Sequence, residues 1–479
     1  MKHDENFKKI IIALLTLVVA ISVAFAPPLP GLNDKSMKMI GIIILAVVYW
    51  ATECVPMPIT GLMIMLLLIV FGVLNFSKAY SYVADKVIAL MLAGEVLSVV
   101  LSKHGVDRYI SLKILGFTGE SVERVMLGIM LSTAFISMWI PNTAAAAIMA
   151  PIAVGILTLF GAEKGKSNLG KAMMIGVAYA ASTGGLGTPV GTPPNPITIS
   201  YVEKSSGIRI GFATWMMWGV PLALILTLLA WFILVIIYKP ETKNISETRR
   251  IIEAELSKIG GLKGERLKAF LFFLIAAVLW ISDPISSRFI PDWTYVVSIM
   301  MIIVVALPRI GVLTWNDISK GVDWGILFLF GGGLALGGGL IESGLANTIS
   351  SIVSRYLSGY PPIVMILGIG LISSLSIVAF CSITATASFS VPVAIAVAKG
   401  LNIHPAVAAI SAGIASTFAF LLPANTPPNA IAYSYGYFKN YEMAKAGIIL
   451  IFVSLLVSLV VSVYIVPYVL GISINYLTP

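Results

Sequence analysis

The four residues Thr-Pro-Pro-Asn occur twice in this chain, within Gly191–Asn195 (GTPPN) and within Asn425–Asn429 (NTPPN). Each copy lies inside an apolar stretch long enough to cross a bilayer. Proline lacks a backbone N–H and cannot continue a helix, but it suits the first position of a new one. We therefore expect Thr192 and Thr426 to be the N-caps of half-helices that start in mid-membrane. Irregular backbone at that depth persists only where it is buried in protein or lines a wet cavity, so the two breaks predict a binding site shared between two repeats.

The composition defines the broad class. With 479 residues, of which 58% are hydrophobic and 11% charged, the chain is predicted to be a polytopic membrane protein. Its net charge of +9 lies mainly at the N-terminus and in one loop. Cytoplasmic lysine and arginine that orient a membrane protein explain this pattern, so no nucleic-acid partner is predicted. The two cysteines and three histidines form no disulfide or metal-ligand pattern.

A charged segment, residues 239–266, divides the chain and is predicted to be a cytoplasmic linker. The predicted domains are an N-terminal peripheral span (1–36), a first repeat (37–238), this linker and a second repeat (267–479). We expect membrane spans near residues 10–29, 37–54, 58–74, 87–103, 171–201 and 212–238 before the linker. We expect further spans near residues 267–282, 294–308, 324–341, 404–436 and 446–470 after it. The spans 171–201 and 404–436 contain the two breaks.

Two further apolar stretches, residues 123–160 and 362–399, have a polar interruption near the middle. Each would be about 57 Å long as a continuous helix, nearly twice a hydrocarbon core of about 30 Å. We therefore predict that both fold back as re-entrant hairpins. The count is then eleven crossings, with the N-terminus in the cytoplasm and the C-terminus outside.

The two halves repeat the same order of features. Asp85 and Asp323 open corresponding spans, Gly105 and Gly344 follow the ends of those spans, and a hairpin and a broken helix come next in each half. Five crossings in each unit force the two units into opposite orientations. The predicted fold is an all-α polytopic membrane protein with an inverted repeat, two re-entrant hairpins and two broken helices.

Four helices are predicted to begin in mid-membrane, after Asn142, Gly191, Ser382 and Asn425. The N-terminus of a helix presents unpaired N–H groups and carries roughly +0.5 charge, so four such ends sum to roughly +2 and suit a small dianion. The alternative is that the polar residues only cap kinks. The candidate substrate-binding residues are Asn142, Thr143, Thr192, Pro193, Ser382, Thr384, Asn425, Thr426 and Pro427.

These motifs resemble those of the divalent anion/sodium symporters, a family of carriers for dicarboxylates, citrate and sulfate. The resemblance covers roughly residues 37–470 and is carried by residues 52–58, 137–144, 187–195, 382–386 and 418–429. It implies a homodimer in which a transport domain that bears the hairpins slides, as an elevator, against a scaffold of the remaining spans. It also implies sodium as a coupling ion, and no other cofactor is predicted.

By this resemblance, a first sodium site would use Ser137, the backbone at Pro141, Asn142 and the backbone at Gly191. Its partner in the second repeat would fall on Val378, Cys381, Ile383 and Asn425. Val378 and Ile383 offer no side-chain oxygen, so the second sodium site is predicted to be degraded. In the family an amide at the position of Ile383 contacts the substrate, and we hypothesise that Asn425 supplies this amide instead.

The predicted function is secondary active transport of small divalent anions across the plasma membrane. The predicted partner is a small dianion of the succinate, malate and 2-oxoglutarate class. C4 dicarboxylates are favoured as substrates, with sodium symport as the coupling. Sodium-independent dicarboxylate exchange and transport of citrate or sulfate are the alternatives, and an anion channel is a more remote one. No enzyme is predicted, because Cys381 has no basic neighbour and His104 and His404 lie at span ends.

One further residue allows two interpretations. Glu95 lies inside a predicted span, where an ionised carboxylate is costly and is a functional candidate by default. It could carry a coupling proton, or it could be a carboxyl near the interface that pairs with a serine or a backbone donor. The glycine triplets at 331–333 and 337–339 lack the strand and helix context of a nucleotide loop and are predicted to serve close helix packing.

Overall fold

A computed structural model describes residues 2–116, 121–241, 248–357 and 359–475, and these residues form helices joined by short turns. The helices up to the linker are α1 (Lys2–Ala24), α2 (Asp34–Thr52), α3 (Met57–Val70), α4 (Phe76–Ser81), α5 (Lys86–Lys103), α6 (Val106–Leu115), α7 (Val122–Ser137), α8 (Asn142–Leu159), α9 (Asn168–Gly184), α10 (Pro194–Ser206) and α11 (Phe212–Ile237). The helices from the linker onward are α12 (Thr248–Ile259), α13 (Gly264–Ile281), α14 (Asp283–Ser286), α15 (Trp293–Val304), α16 (Trp315–Gly321), α17 (Gly325–Glu342), α18 (Leu345–Leu357), α19 (Pro362–Phe380), α20 (Ile383–Gly400), α21 (Pro405–Ala415), α22 (Pro427–Ser434), α23 (Asn440–Val460) and α24 (Val466–Leu470). The predicted all-α membrane fold is confirmed.

Within the described ranges, eight helices are long and apolar enough to cross a membrane. They are α1, α2, α8, α11, α17, α19, α20 and the continuous α23–α24. Three of these eight are arms of the predicted hairpins, and α3 and α15, both predicted crossings, are shorter than the rest. Length and composition therefore do not decide which helices cross, and eleven crossings stays a prediction.

The same order of helices occurs twice. The helices α2 to α11 correspond in sequence to α13, α15 to α23, with α12 in the linker and α14 as a short addition. The residues repeat as well: Leu45–Glu53 (LAVVYWATE) matches Ile275–Asp283 (IAAVLWISD), and Gly72–Phe76 (GVLNF) matches Gly311–Trp315 (GVLTW). Our sequence analysis missed these two traces of the repeat.

Both predicted hairpins contain a helix break at their middle. In the first, α7 ends at Ser137 and α8 starts at Asn142 after the N-cap Pro141. In the second, Cys381 adopts a left-handed conformation with φ 48° between α19 and α20. In each hairpin the two arms pack on one another, and the second arm also packs on the following broken helix. The breaks therefore place polar residues at the two hairpin tips, and the depth of these tips in a membrane stays a prediction.

Sequence analysis missed the short helices that join the longer ones, chiefly α4, α6, α16 and α18. They escape a hydropathy search because they are short and carry a polar face. The predicted linker contains a helix, α12, which docks on α6 through an ion pair of 2.6 Å between Glu255 and Arg108. Residues 242–247 of the predicted linker lie outside the described ranges.

Candidate functional site

The first hairpin tip and the first broken helix meet in a cluster of oxygen atoms, which we call the first node. One terminal atom of the Asn142 amide lies 2.7 Å from Ser137 Oγ and 3.0 Å from the carbonyl oxygens of Ala181 and Gly191. The other terminal atom lies 3.3 Å from Thr192 Oγ1. An amide nitrogen at the first position donates to these oxygens, so the Asn142 amide is satisfied within the protein. With the amide oxygen at that position instead, the same residues present four oxygen atoms of the kind that bind a hard cation.

One of the four residues predicted for a first sodium site, Pro141, is placed differently from the expectation. The Pro141 carbonyl accepts the N–H of Ala145 at 3.1 Å and so belongs to the first turn of α8. The Ala181 carbonyl lies at the node in its place, and it also accepts from Ser137 Oγ at 2.7 Å. No sequence signal marks Ala181, because any residue supplies a carbonyl.

Glycine is required where the broken helix approaches the hairpin tip. A Cβ added at Gly185 would lie 2.3 Å from the Asn142 amide oxygen. A Cβ added at Gly191 would lie 2.9 Å from the carbonyl oxygen of Ser137 and 2.5 Å from that of Gly185. Contacts this short are not tolerated, so both positions admit only glycine without movement of the node.

The asparagine that ends each repeated phrase closes the break behind it. Asn195 Nδ2 donates to the carbonyl oxygens of Gly185 at 2.9 Å and Thr188 at 2.7 Å. In the second half, Asn429 Nδ2 donates in the same way to Ala419 at 2.7 Å and Leu422 at 3.0 Å. Sequence analysis assigned these two asparagines no role, although their recurrence at the end of both phrases was a usable signal. Each amide satisfies carbonyl groups that the broken helix leaves without a helical partner.

The second half of each broken helix begins at a different residue of the Thr-Pro-Pro-Asn motif: α22 begins at the first proline and α10 at the second. Thr426 is the N-cap of α22, as predicted, but its side chain makes no cap hydrogen bond. Thr192 is not an N-cap, because Pro193 occupies that position and α10 starts at Pro194. Proline tolerates the N-cap geometry here because it needs no N–H partner. The prediction for Thr192 was therefore wrong by one residue.

The starts of the broken helices contribute fewer N–H donors than predicted. Pro193, Pro194 and Pro196 have no N–H, and the N–H of Asn195 donates to Thr192 O at 3.1 Å. The first N–H groups of α8 have no intrahelical partner, and its N-cap, Pro141, supplies no side-chain cap. The start of α10 therefore presents fewer free N–H groups than the start of α8, and the binding of one dianion by four helix N-termini stays a prediction.

The second hairpin tip and the second broken helix meet at the second node, which differs from the first. Ser382 caps α20 by accepting the N–H of Ala385 at 3.3 Å. Asn425 Oδ1 accepts the N–H of Leu422 at 2.9 Å, and its Nδ2 donates to Ile377 O at 3.4 Å. Asn425 is 0% exposed. Both ends of its amide are thus bonded to the backbone, and in this conformation it presents no group to a substrate.

The four interrupted helices pair across the two halves. Helix α22 packs against α8 and α9, and α10 packs against α20 and α21. The ring of Tyr437, just after α22, lies against Gly170, beyond the end of α8, so α8 and α22 run from the tips toward the same side. Lys204 of α10 and Lys399 of α20 line one cavity of about 250 Å³, so these two helices also end together. The two helices of each pair accordingly end on the same side, and the meeting of all four starts in one region stays a prediction.

The candidate substrate-binding residues differ in exposure. Thr143 and Pro427 are exposed, and Pro193 is partly exposed. Thr426 is 4% exposed, and its hydroxyl has no hydrogen-bond partner in the described parts of the chain. Ser382 and Thr384 are buried at the other tip. An unpaired buried hydroxyl is costly, so Thr426 is suited to a polar guest.

Glu95 lies apart from the two nodes, on α5. A Cβ added at its neighbour Gly94 would lie 3.2 Å from Val190 Cβ, so α5 packs against the first break at this level. Within the described residues, no hydrogen bond or ion pair to Glu95 is found. The structure therefore supports neither of the two interpretations of Glu95 over the other.

Two interrupted helices and two hairpins that meet in an all-helical membrane protein define a transporter rather than an enzyme. Residues 7–471 match the family described as the sodium:sulfate symporter transmembrane region, and the chain belongs to this family. The resemblance stated from the motifs is therefore confirmed.

Named relatives support the same assignment. The chain is 32% identical over 471 residues to the sodium-dependent dicarboxylate transporter SdcS of Staphylococcus saprophyticus, covering 94% of this chain and 90% of the relative. It is 30% identical over 464 residues to SdcS of Staphylococcus aureus strain USA300, with 93% and 89% covered.

Two solved transporters share the fold at low identity. The YdaH transporter of Alcanivorax borkumensis aligns with a TM-score of 0.55 at 13% identity, over 98% of this chain and 99% of that one. MtrF of Neisseria gonorrhoeae aligns with a TM-score of 0.58 at 12% identity, over 95% and 98%. At these identities the likeness concerns the fold alone.

Proposed function

We propose that this protein is a sodium-coupled symporter of small dicarboxylates, with C4 dicarboxylates as the preferred substrates. The observation that carries the proposal is the first node, where three oxygen atoms, Ser137 Oγ and the carbonyl oxygens of Ala181 and Gly191, surround one terminal atom of the Asn142 amide. The names of the staphylococcal relatives support both the ion and the substrate class. The plasma membrane, with the N-terminus in the cytoplasm and the C-terminus outside, is part of the proposal.

The residues of the first node fit a sodium ion. Ser137 Oγ, the amide oxygen of Asn142 and the carbonyl oxygens of Ala181 and Gly191 are hard, neutral ligands of the kind that alkali and alkaline-earth cations take. Without a cation, the Asn142 amide is satisfied when its nitrogen faces the carbonyl oxygens. Binding of sodium would favour the opposite orientation and turn the amide nitrogen toward Thr192. Sodium would thereby reset hydrogen bonds at the start of α8, where the substrate is proposed to bind.

The proposed substrate contacts are hydroxyl groups and the first N–H groups of α8 and α20. Thr143 and Pro427 are exposed and Pro193 is partly exposed, while Thr192, Ser382, Thr384 and Thr426 are buried. Neutral donors of this kind bind a carboxylate without a fixed lysine, which allows release on the far side. A dicarboxylate of four carbons would place one carboxylate near the donors of each half.

We propose alternating access of the elevator type, in a homodimer. The scaffold would comprise α1–α3, α5, α13, α15 and α17, and the moving part would comprise α7–α11 and α19–α24. Among the described residues, three ion pairs join these parts: Lys86 to Glu203 at 2.6 Å, Lys204 to Asp85, and Arg209 to Asp292 at 3.4 Å. Exposed ion pairs contribute up to about 1 kcal/mol each, so thermal motion can break them during a cycle.

Sodium-independent exchange is the second candidate. One observation favours it: the second node lacks the oxygen cluster of the first, since Val378 and Ile383 carry no oxygen in their side chains. A carrier with weak ion coupling would work by swapping one dicarboxylate for another.

Uptake of labelled succinate into proteoliposomes separates the two candidates. We expect an inward sodium gradient to accelerate uptake at least tenfold over a choline gradient, in vesicles with no internal dicarboxylate. Uptake that requires internal dicarboxylate and ignores sodium would replace symport by exchange. Citrate and sulfate as competitors would test the substrate class, and competition stronger than that of malate would contradict the preference for C4 dicarboxylates.

A further inference from the structure

The two nodes occupy equivalent places in the repeat but hold different chemistry. Matching the two hairpin tips places Val378 at the position of Ser137 and Ile383 at that of Asn142. Matching the two repeated phrases places Asn425 at the position of Gly191. Two side-chain oxygens of the first node are therefore missing at the second, and a new amide is present.

The geometry of Gly191 shows where a side chain at this position points. A Cβ added there would lie 2.9 Å from the Ser137 carbonyl oxygen and 2.5 Å from that of Gly185, so it points to backbone carbonyls next to the first node. The second node has this Cβ, on Asn425. Its Nδ2 donates to Ile377 O at 3.4 Å, in the last turn of α19 and one residue before Val378, the equivalent of Ser137. The Asn425 side chain thus places an amide donor on a carbonyl at the second hairpin tip, whereas Gly191 offers no side chain to the first tip.

We propose that the Asn425 amide is a permanent substitute for a cation at the second node. An amide nitrogen carries partial positive charge and donates to carbonyl oxygens that a cation would otherwise bind. Cys381 adds a second donor, because its thiol donates to Val378 O at 3.6 Å. Asn425 Oδ1 is held by the N–H of Leu422, so the amide cannot turn its oxygen inward without the loss of that bond.

This substitution sets the number of ions that move with the substrate, and it rests on the proposed function. Hard cations require several oxygen ligands, and the second node offers backbone oxygens that are already bonded to internal donors. The carrier would therefore move one sodium ion with each dianion, and the transported complex would carry one net negative charge. The Asn425 amide would hold the second node permanently in the arrangement that a bound cation would otherwise produce.

Simultaneous measurement of ²²Na⁺ and ¹⁴C-succinate influx into proteoliposomes tests the stoichiometry on the native protein. We expect a flux ratio close to one, a hyperbolic dependence of uptake on sodium concentration, and slower uptake when the vesicle interior is made negative. A ratio of two or more, or a sigmoidal sodium dependence, with intact sodium-stimulated uptake would overturn this inference alone. Absence of sodium-stimulated uptake would overturn the proposed function and this inference with it.

A variant that restores the oxygens sharpens the test. In Val378→Thr/Ile383→Asn/Asn425→Ala, the second node regains side-chain oxygens and loses the internal donor, so we expect the flux ratio and the Hill coefficient for sodium to rise from about one toward two. The matched control, Val378→Thr with Asn425 retained, should keep both values near one. A folded triple variant, checked by gel filtration and by its melting temperature, that keeps a ratio of one would contradict the substitution. The native flux ratio decides the matter if the triple variant does not fold.

Discussion

The two hairpin tips contact α2 and α13, which are equivalent helices of the repeat, at different positions along the helix axis. In the second half, the Phe380 ring lies 6.4 Å from the ring of Trp50, near the end of α2. In the first half, the repeat equivalent of Phe380 is Trp139, and its ring lies 5.1 Å from Phe273. The repeat equivalent of Trp50 is Trp280, which is seven residues beyond Phe273 on α13. One tip therefore stands about 10 Å lower on its scaffold helix than the other.

The same asymmetry appears where the two scaffold helices end. Glu53 and Asp283 are repeat equivalents, yet Glu53 is exposed with a left-handed backbone, φ 45°, while Asp283 is 5% exposed. Asp283 accepts from the N–H of Thr294 at 3.1 Å and from its hydroxyl at 2.8 Å, beneath Gly211. The end of α13 is thus covered by the segment before α11, whereas the end of α2 is open. In the proposed elevator mechanism, exchanging the contacts of the two halves would describe the opposite state of the carrier.

The largest effect is expected from closing the first node. Gly185→Ala places a methyl group 2.3 Å from the Asn142 amide oxygen, so the amide cannot keep both its cation-binding and its hydrogen-bonded arrangement. We expect sodium-driven uptake of succinate in proteoliposomes to fall at least tenfold. Gly155→Ala, on α8, is the matched control, because a Cβ there meets nothing within 4 Å. Normal uptake by Gly185→Ala would show that the first node does not bind the coupling ion.

A second large effect is expected when a cross-link holds the first hairpin tip at its present position along α13. With Cys54 and Cys381 replaced by serine, Trp139→Cys/Phe273→Cys should be cross-linked by a short bifunctional thiosulfonate, and uptake should fall at least tenfold. If the two halves exchange their contacts during transport, Trp139 moves to the level of Trp280, as Phe380 now lies at the level of Trp50. Trp139→Cys/Trp280→Cys should therefore also be cross-linked during turnover, once Phe212 has left the space between these two rings. Phe212 now stacks on Trp280 at 4.9 Å and lies 6.3 Å from Trp139. Undiminished transport by the first cross-linked pair would contradict movement along α13.

A moderate effect is expected at the two acidic equivalents. Asp283→Ala leaves the buried N–H and hydroxyl of Thr294 without their acceptor, and the free energy of unfolding should fall by about 2 to 3 kcal/mol. Glu53→Ala changes an exposed side chain and should alter it by less than about 0.5 kcal/mol. Melting temperatures of the purified variants in detergent measure both changes. Equal losses would show that the two ends of the scaffold are equally closed.

Much of the fold could be predicted because apolar runs, prolines and charged loops each act locally. The predicted span 212–238 is α11 (Phe212–Ile237), and the interruption predicted at Asn142 is the start of α8. Features that depend on packing across the chain could not be predicted. The Ala181 carbonyl reaches the first node only because α9 packs against α7, and no pattern in residues 171–201 encodes that approach.

Sequence patterns predicted which residues lie at the hairpin tips and breaks better than they predicted what each side chain contacts. Ser137, Asn142 and Thr192 do meet. Asn425, expected to face a substrate, turns into the protein, because its amide finds two backbone partners inside the second break. Side-chain direction at a helix break depends on the backbone geometry of the break, which the repeated phrase alone does not specify.

The smallest effect concerns how the two broken helices begin. Helix α9 is capped from the linker: Glu241 accepts the N–H groups of Asn168 and Leu169, whereas His404 caps α21 through its ring nitrogen. Partial burial acts to raise the pKa of Glu241, but these N–H groups outweigh it and hold the pKa below its ordinary value. A lowered pKa adds stability above the unfolded value of about 4.3, and that stability is lost as the pH falls through the folded value.

Glu241→Gln should therefore lower the melting temperature slightly at pH 7, by well under 1 kcal/mol in stability, because the carboxylate is exposed and screened by solvent. The difference between native protein and variant should shrink below about pH 4, where the native carboxyl is protonated. Melting curves between pH 3 and 8 measure it, with Glu163→Gln as the control, since the Glu163 carboxylate pairs with Lys166 on the exposed loop before α9. A difference that grows as the pH falls has the wrong sign and would show that the charge on Glu241 does not stabilise the start of α9.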